Sequence, residues 1–184
     1  MTQLELLRLE YAKHAATPWV TGLSGAEKTW FVVYDPADER RIRARLEDFA
    51  LATREANHKW AAFDCTDLFA RWIGTHEYRD AYFTAPADLE MSLVDFKAFA
   101  AEEVIAMLRA ADEEAVVALT GVGAFFGLIR LSELLKAVEG DIRGRLAVFF
   151  PGTYEGNTYR LLDARDGWNY LATPITANKG VTTR

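Results

Sequence analysis

Ala115-Val116-Val117-Ala118-Leu119-Thr120, followed by Gly121-Val122-Gly123, decides the fold. A strand that faces water on one side alternates apolar and polar residues. An unbroken apolar run predicts a strand covered on both faces, as in a parallel sheet between two layers of helices. The glycines predict a tight turn. Ala124–Val138 then carries Phe125, Leu128, Ile129, Leu131, Leu135 and Val138, a spacing that predicts an amphipathic helix ended by Gly140.

The same grammar extends in both directions. Arg145-Leu146-Ala147-Val148-Phe149-Phe150, closed by Pro151-Gly152, reads as a second buried strand, and Thr29-Trp30-Phe31-Val32-Val33-Tyr34, stopped by Asp35-Pro36, as a third. Lys59–Asp64 is a shorter strand. Between the strands lie helical patterns: Leu4–His14, closed by Thr17-Pro18; a helix after Asp35 or Asp38 with Ile42, Leu46, Phe49 and Ala50 on one face; Leu68–Ile73, ended by Gly74; and Leu89–Ala111. Residues 76–90 are mixed and aromatic, with Tyr78, Tyr82 and Phe83 and a break at Pro86. Strands that alternate with helices predict an α/β domain over residues 1–175, a three-layer arrangement with a mostly parallel sheet flanked by helices. Asn157–Leu162 and Trp168–Thr173, joined by Asp163–Gly167, predict a C-terminal β-hairpin. The polar stretch 176–184 is expected to be a mobile tail.

Composition narrows the classes. The 184 residues are 51% hydrophobic and 26% charged, the balance of a globular protein. No apolar run reaches the roughly 20 residues that cross a bilayer, so no membrane association is expected. The N-terminus MTQLELLRLEYAKH lacks the apolar core of an export signal, so the cytoplasm is the expected compartment. Cys65 is the single cysteine, which excludes an internal disulfide and a cysteine-based zinc site. The three histidines show no metal-ligand spacing, and neither a metal nor a cofactor is expected. A net charge of -6 argues against broad nucleic-acid binding.

Several segments carry chemistry that must be weighed. Gly22–Thr29 approaches a P-loop, but Glu27 stands where the loop needs glycine, and the segment precedes a strand instead of following one. Gly121 and Gly123 are better placed for anion binding, after a strand and before a predicted helix. The third glycine of a dinucleotide fingerprint is absent, since position 126 is Phe126; a close-packed turn explains the pair as well. Asp35, Asp64 and Asp67 fall at predicted strand ends, where α/β sheets bind ligands and where two carboxylates could hold Mg²⁺. Helix capping accounts for all three. Cys65 has no histidine near it in sequence to activate it and reads as a small core residue. Arg40, Arg41, Arg43 and Arg45 could form a basic patch for DNA or a solvated face paired with Glu39, Glu47 and Asp48. The segment from Phe149 to Leu162 is the most unusual: Pro151, Gly152, Tyr154, Glu155, Tyr159 and Arg160 gather at a strand end in the residue types of interface hot spots. Alternatively, its tyrosines pack on the sheet.

These motifs carry a resemblance. Ala118-Leu119-Thr120-Gly121-Val122-Gly123-Ala124, a helix with Ile129-Arg130, then Val148-Phe149-Phe150-Pro151-Gly152-Thr153-Tyr154-Glu155-Gly156, Tyr159-Arg160-Leu161 and Asn169-Tyr170 together resemble the BrxB family of BREX bacteriophage-exclusion systems. Trp30–Arg41 (WFVVYDPADERR) also fits, while Asn169–Thr173 departs from the aromatic-arginine run of the family, and Gly127 stands where proline is common. The resemblance implies a small component of an anti-phage defence system in which methylation and ATP hydrolysis belong to larger proteins. It implies an assembly subunit without catalytic residues, whose partners are the alkaline-phosphatase-like PglZ component and the large ATPase component; direct DNA binding is not expected. The residues themselves leave a second class open: a nucleotide- or Mg-dependent enzyme or sensor that uses Asp35, Asp64 and the Gly121–Gly123 turn.

Overall fold

The computed structural model describes residues 1–164 and 167–177. In chain order the elements are α1 (Gln3–Ala16), β1 (Thr29–Tyr34), α2 (Glu39–Ala44), α3 (Leu46–Glu55), β2 (Lys59–Asp64), α4 (Leu68–Gly74), α5 (Arg79–Thr84), α6 (Leu93–Ala110), β3 (Ala115–Thr120), α7 (Leu131–Val138), β4 (Arg145–Glu155), β5 (Thr158–Leu161) and β6 (Thr173–Ile175). Five strands form a parallel sheet in the order β2-β3-β4-β1-β6, and β5 pairs antiparallel with the far end of β4. The α/β architecture, with its mostly parallel sheet between helices, agrees with the sequence reading; a C-terminal hairpin is present, but between other strands than expected.

The three apolar runs occupy the middle of the sheet. All six residues of β1, all six of β3 and the first eight of β4 are buried. Alternate residues serve opposite faces. Trp30, Val32, Val116, Ala118, Ala147 and Phe149 pack under α1 and α3 with Leu7, Tyr11 and Phe49. Phe31, Val33, Val117, Leu119, Val148 and Phe150 pack under α4, α6 and α7 with Leu68, Phe96, Val104 and Leu134. Each large side chain so buried contributes about 1.5–3 kcal/mol of transfer free energy, which is why β-propensity and helix packing agree on one register. The edge strand β2 exposes Lys59, Ala62 and Asp64. No helix among the described residues is long and apolar enough to cross a membrane.

Four local readings are corrected. The helix expected over Ala124–Val138 is a 3-10 turn, Val122–Phe125, then a link to α7, because Gly127 adopts φ +77° and interrupts the helical ladder. Phe125, Leu131, Leu134 and Leu135 are nevertheless buried, so the apolar pattern was real and only its continuity failed. The helix after Asp38 breaks at Arg45 (φ -114°, ψ 15°) into α2 and α3. Residues before Leu93 form a 3-10 helix, Pro86–Ser92, since Pro86 starts a tight turn that cannot join α5. Finally, the hairpin lies one strand earlier than expected. Gly156 (φ +54°) and Asn157 (φ +62°) make a two-residue turn between β4 and β5, the left-handed pair that matches strand twist. Trp168 contributes a single bridge to Tyr159, and Thr173–Ile175 leaves to pair with β1 in parallel. Of the expected turn at Asp163–Gly167, Arg165 and Asp166 lie outside the described residues, as does the expected tail from residue 178 onward.

Candidate functional site

Parallel strands gather their C-terminal ends at one edge of the sheet: Tyr34, Asp64, Thr120 and Pro151 stand there. After β1 the chain turns to α2 and α3 on one face. After β4 it passes through Tyr159, Trp168 and Tyr170, which pack on the other. Adjacent strands whose continuations leave to opposite faces open a crevice between them. That crevice is present, with a volume of about 400 Å³. Val33, Tyr34 and Gly152 form its base, Leu4 and Leu7 of α1 one wall, and Thr153–Glu155 of the hairpin another. Thr176 and Ala177, beyond β6, complete it.

The hairpin keeps its shape for stated reasons. A Cβ on Gly152 would lie 2.0 Å from the Arg160 carbonyl oxygen and 2.8 Å from the Phe150 ring, so only glycine lets β5 cross there. Tyr159 is 1% exposed and donates to the Ala172 carbonyl oxygen at 2.9 Å. Its ring meets Phe31 edge-on at 4.4 Å; burial, helped by the neighbouring Tyr154, pushes its phenol up from the ordinary value. Pro151 and Gly152 are buried as well. Of the six residues singled out in sequence, Tyr159, Pro151 and Gly152 therefore build the hairpin, while Glu155 and Arg160 are exposed and Tyr154 half-buried, its hydroxyl donating to Asn157 Oδ1 at 2.9 Å.

A second recess, of about 190 Å³, lies beside the crevice and is lined by Tyr34, Glu39, Arg43, Asp64, Thr120 and Phe149 among others. Its polar groups are spent on one another. Arg43 donates from Nη1 to Asp64 Oδ2 at 2.9 Å, from Nη2 to Thr66 Oγ1 at 2.7 Å, and from Nε to Glu39 Oε1 at 2.8 Å. Tyr34 donates its hydroxyl to Glu39. Asp64 Oδ1 accepts from the Thr66 amide at 3.0 Å and the Thr66 hydroxyl at 2.5 Å. Partial burial pushes the Asp64 carboxyl up, but Arg43 and Thr66 outweigh it and hold the carboxyl below the usual range. Tyr34 moves the other way, raised by burial and by its bond to Glu39.

The remaining candidates separate. Asp35 caps the turn after β1, accepting from the Ala37 amide at 2.9 Å. Asp38 instead pairs with Arg41 at 2.8 Å, and Asp67 makes no side-chain cap bond. Capping thus explains one of the three strand-end aspartates; Asp64 holds a turn and an ion pair. Gly121, at φ +70°, lies where a Cβ would meet Asp64 Oδ1 and Thr66 Oγ1, each at 2.4 Å. The lack of a side chain lets the Asp64–Thr66 turn pack against this glycine. Gly123 faces Pro151 and Leu162. Cys65 is 1% exposed, and burial, with the charges of Asp64 and Asp67, pushes its thiol up. Glu27, which spoils the P-loop pattern, accepts from the Ser24 amide at 2.8 Å and fixes the turn before β1. Among the described residues, no three His, Cys, Asp or Glu side chains stand close enough to share a metal ion.

Two features had no signal in the sequence. Arg43 and Asp64 are 21 positions apart, and nothing local marks one arginine of α2 as the bridge to β2. The walls of the crevice come from opposite ends of the chain. Comparison with known proteins adds one finding: residues 78–175, more than half of the chain, match the family described as BREX protein BrxB. The match begins at α5 and ends with β6, and leaves Trp30–Arg41 outside it. No curated protein and no solved structure matches the chain.

Proposed function

The chain belongs to the BrxB family, a component of BREX anti-phage systems, and we propose that within such a system it is a non-catalytic assembly subunit. In this reading the hairpin and the crevice beneath it seat the PglZ-like component, and the large ATPase component is a further partner. The observation that carries it is the hairpin itself. β4 continues past its last β1 partner, Pro151, and pairs only with β5 from Gly152 to Glu155. The tip therefore projects beyond the sheet edge while its base is locked by buried aromatic contacts. An element held rigid before docking loses little entropy on binding, and Tyr and Arg near its tip suit an interface.

Supporting the non-catalytic part, the ionisable groups at the strand ends are bonded to one another, and Cys65 is sealed in the core. One observation favours a second reading as a nucleotide- or Mg-dependent enzyme or sensor: Asp64, Arg43 and Thr120 line a single recess at the sheet edge. Titration calorimetry with the PglZ-like protein of the same locus tests the first reading. Micromolar or tighter binding is expected, weakened at least tenfold by Tyr154→Ala combined with Glu155→Arg. No heat at tens of micromolar protein, or turnover of a nucleotide by the chain alone, overturns it.

A further inference from the structure

We infer that α5, the 3-10 helix Pro86–Ser92 and the first turn of α6 form a second docking face, for a protein partner that presents an apolar side chain ringed by lysine or arginine. This deepens the assembly reading and rests on it, by naming a second surface, separate in sequence from the hairpin, in the β2-to-β3 crossover.

From Glu77 to Met91 the chain has no buried residue, yet it is helical for most of that length. Helices this short do not hold themselves together in water. Here they are fastened at a few points. Tyr82 and Ser92 share a hydroxyl hydrogen bond of 2.6 Å, Arg79 donates to the Gly74 carbonyl at 2.9 Å, and half-buried Leu89 packs on the core. Large apolar side chains stand among the exposed residues of this segment. Tyr78 is 57% exposed, Phe83 67%, Met91 89% and Val94 61%. Met91, Val94 and Ala98 follow one another at single-turn spacing and all three are exposed, so they form a stripe along the start of α6. Four of the ten large exposed apolar side chains of the described chain thus fall within 17 consecutive residues. Scattered exposed apolar groups are ordinary; a concentration in one exposed segment favours an interaction surface.

Charge selects the occupant. Between His76 and Asp95 stand five carboxylates (Glu77, Asp80, Asp88, Glu90 and Asp95) and one guanidinium, Arg79, which is engaged with Gly74 and Asp80. A second copy of this face would bring like charges together. An anionic membrane and a nucleic acid are repelled for the same reason. A cationic rim around an apolar plug is complementary in both terms.

The test uses the full chain and each of the other proteins encoded by the same defence locus, measured one at a time by biolayer interferometry. Three variants accompany the wild type: Phe83→Ser with Met91→Ser, Asp88→Lys with Glu90→Lys, and the hairpin variant Glu155→Arg. Because Phe83 and Met91 are mostly exposed, their replacement leaves the melting temperature nearly unchanged. The expected result is one partner whose binding weakens at least tenfold with each of the first two variants, weakens with added salt, and survives the third. Binding of every partner unchanged by the first two variants overturns the inference and leaves the assembly reading intact. The absence of any binder at 50 micromolar, a level set at roughly the weak end of specific association, overturns both. Self-association in sedimentation that the Phe83/Met91 variant abolishes, or capture by phosphatidylserine vesicles, assigns the face to another occupant and overturns the inference alone.

Discussion

Arg43 Nη1 stands 2.9 Å from Asp64 Oδ2, and this contact ties α2, on one face of the sheet, to the end of the edge strand β2. It also orders the turn into α4, since the same guanidinium reaches Thr66, which Asp64 holds from the other side. Both charged side chains keep part of their exposure, 38% for Arg43 and 51% for Asp64, so the pair is worth no more than about 1 kcal/mol. Asp64→Asn is expected to lower stability by about that amount at neutral pH. The folded-state carboxyl titrates below its ordinary value of 3.8. Its contribution is therefore complete above the unfolded pKa and is lost as pH falls through the lower, folded one. Urea melts of wild type and Asp64→Asn should differ at pH 7 and converge as the pH falls through the lowered folded-state pKa of Asp64. A gap that widens in acid contradicts this assignment.

Gly121 and Gly127 both have φ near +70° to +77°, yet their surroundings differ. Any side chain at either position meets the left-handed penalty of about 1–2 kcal/mol. At Gly127 nothing lies within 4 Å of an added Cβ; at Gly121 the Cβ would strike Asp64, Thr66 and a backbone amide. Gly127→Ala is accordingly expected to cost about 1 kcal/mol. Gly121→Ala should cost about 3 kcal/mol or more, because the turn that Asp64 and Thr66 form must open. Equal losses in denaturant titrations would show that Gly121 is not pressed against that turn.

Tyr159 and Tyr154 neighbour each other on the hairpin, with ring centroids 4.6 Å apart, but they do different work. The Tyr159 hydroxyl is buried against the Ala172 carbonyl. Tyr159→Phe is expected to cost about 1–2 kcal/mol, the penalty of leaving that carbonyl unpaired. It should leave partner affinity within twofold, whereas Tyr154→Ala weakens affinity at least tenfold. Differential scanning calorimetry and the PglZ-like binding titration separate the two. Loss of affinity at unchanged stability in Tyr159→Phe would place that residue in the interface after all.

How far these relationships can be read from sequence depends on whether their cause is local. β1, β3 and β4 are legible because double-sided burial writes itself as unbroken apolar runs. Asp35 is legible as a cap because its partner, the Ala37 amide, lies two residues away. The interrupted helix before α7 is harder: Phe125, Leu128 and Leu131 keep helical spacing, and only the backbone angle of Gly127 shows the break. The hairpin differs from its expected place because Asn157 reads as the first residue of a strand, while Asp166-Gly167 has the more familiar turn spelling. Arg43 with Asp64, and the crevice with walls from Leu4 and Ala177, have no local trace at all; the topology brings them together.

The second reading of the sheet edge makes its own demand. If the recess beside Asp64 took a nucleotide with magnesium, the Arg43 guanidinium would have to leave three partners, Asp64, Thr66 and Glu39. Calorimetry of the chain with ATP and MgCl₂ at millimolar concentration is expected to give only dilution heat. A saturable signal that Asp64→Asn removes would establish the recess as a ligand site and transfer the argument to an enzyme or sensor.

Cys65 offers a probe of the same question from inside the core. Its thiol is 1% exposed, lies among Leu68, Val122 and neighbouring apolar groups, and is pushed away from ionisation by burial first and then by the charges of Asp64 and Asp67. A nucleophilic cysteine needs the opposite environment, an accessible thiolate stabilised by positive charge. The native chain should therefore resist an aromatic disulfide reagent at pH 8 for as long as it stays folded, and react fully once unfolded in guanidinium chloride. Its slow native rate should follow the opening of the fold, rising with Gly121→Ala, which loosens the turn beside it, and not with Gly127→Ala beyond what its smaller stability loss requires. Rapid labelling of the folded wild type would mean that the thiol is reachable and would return Cys65 to the group of reactive candidates.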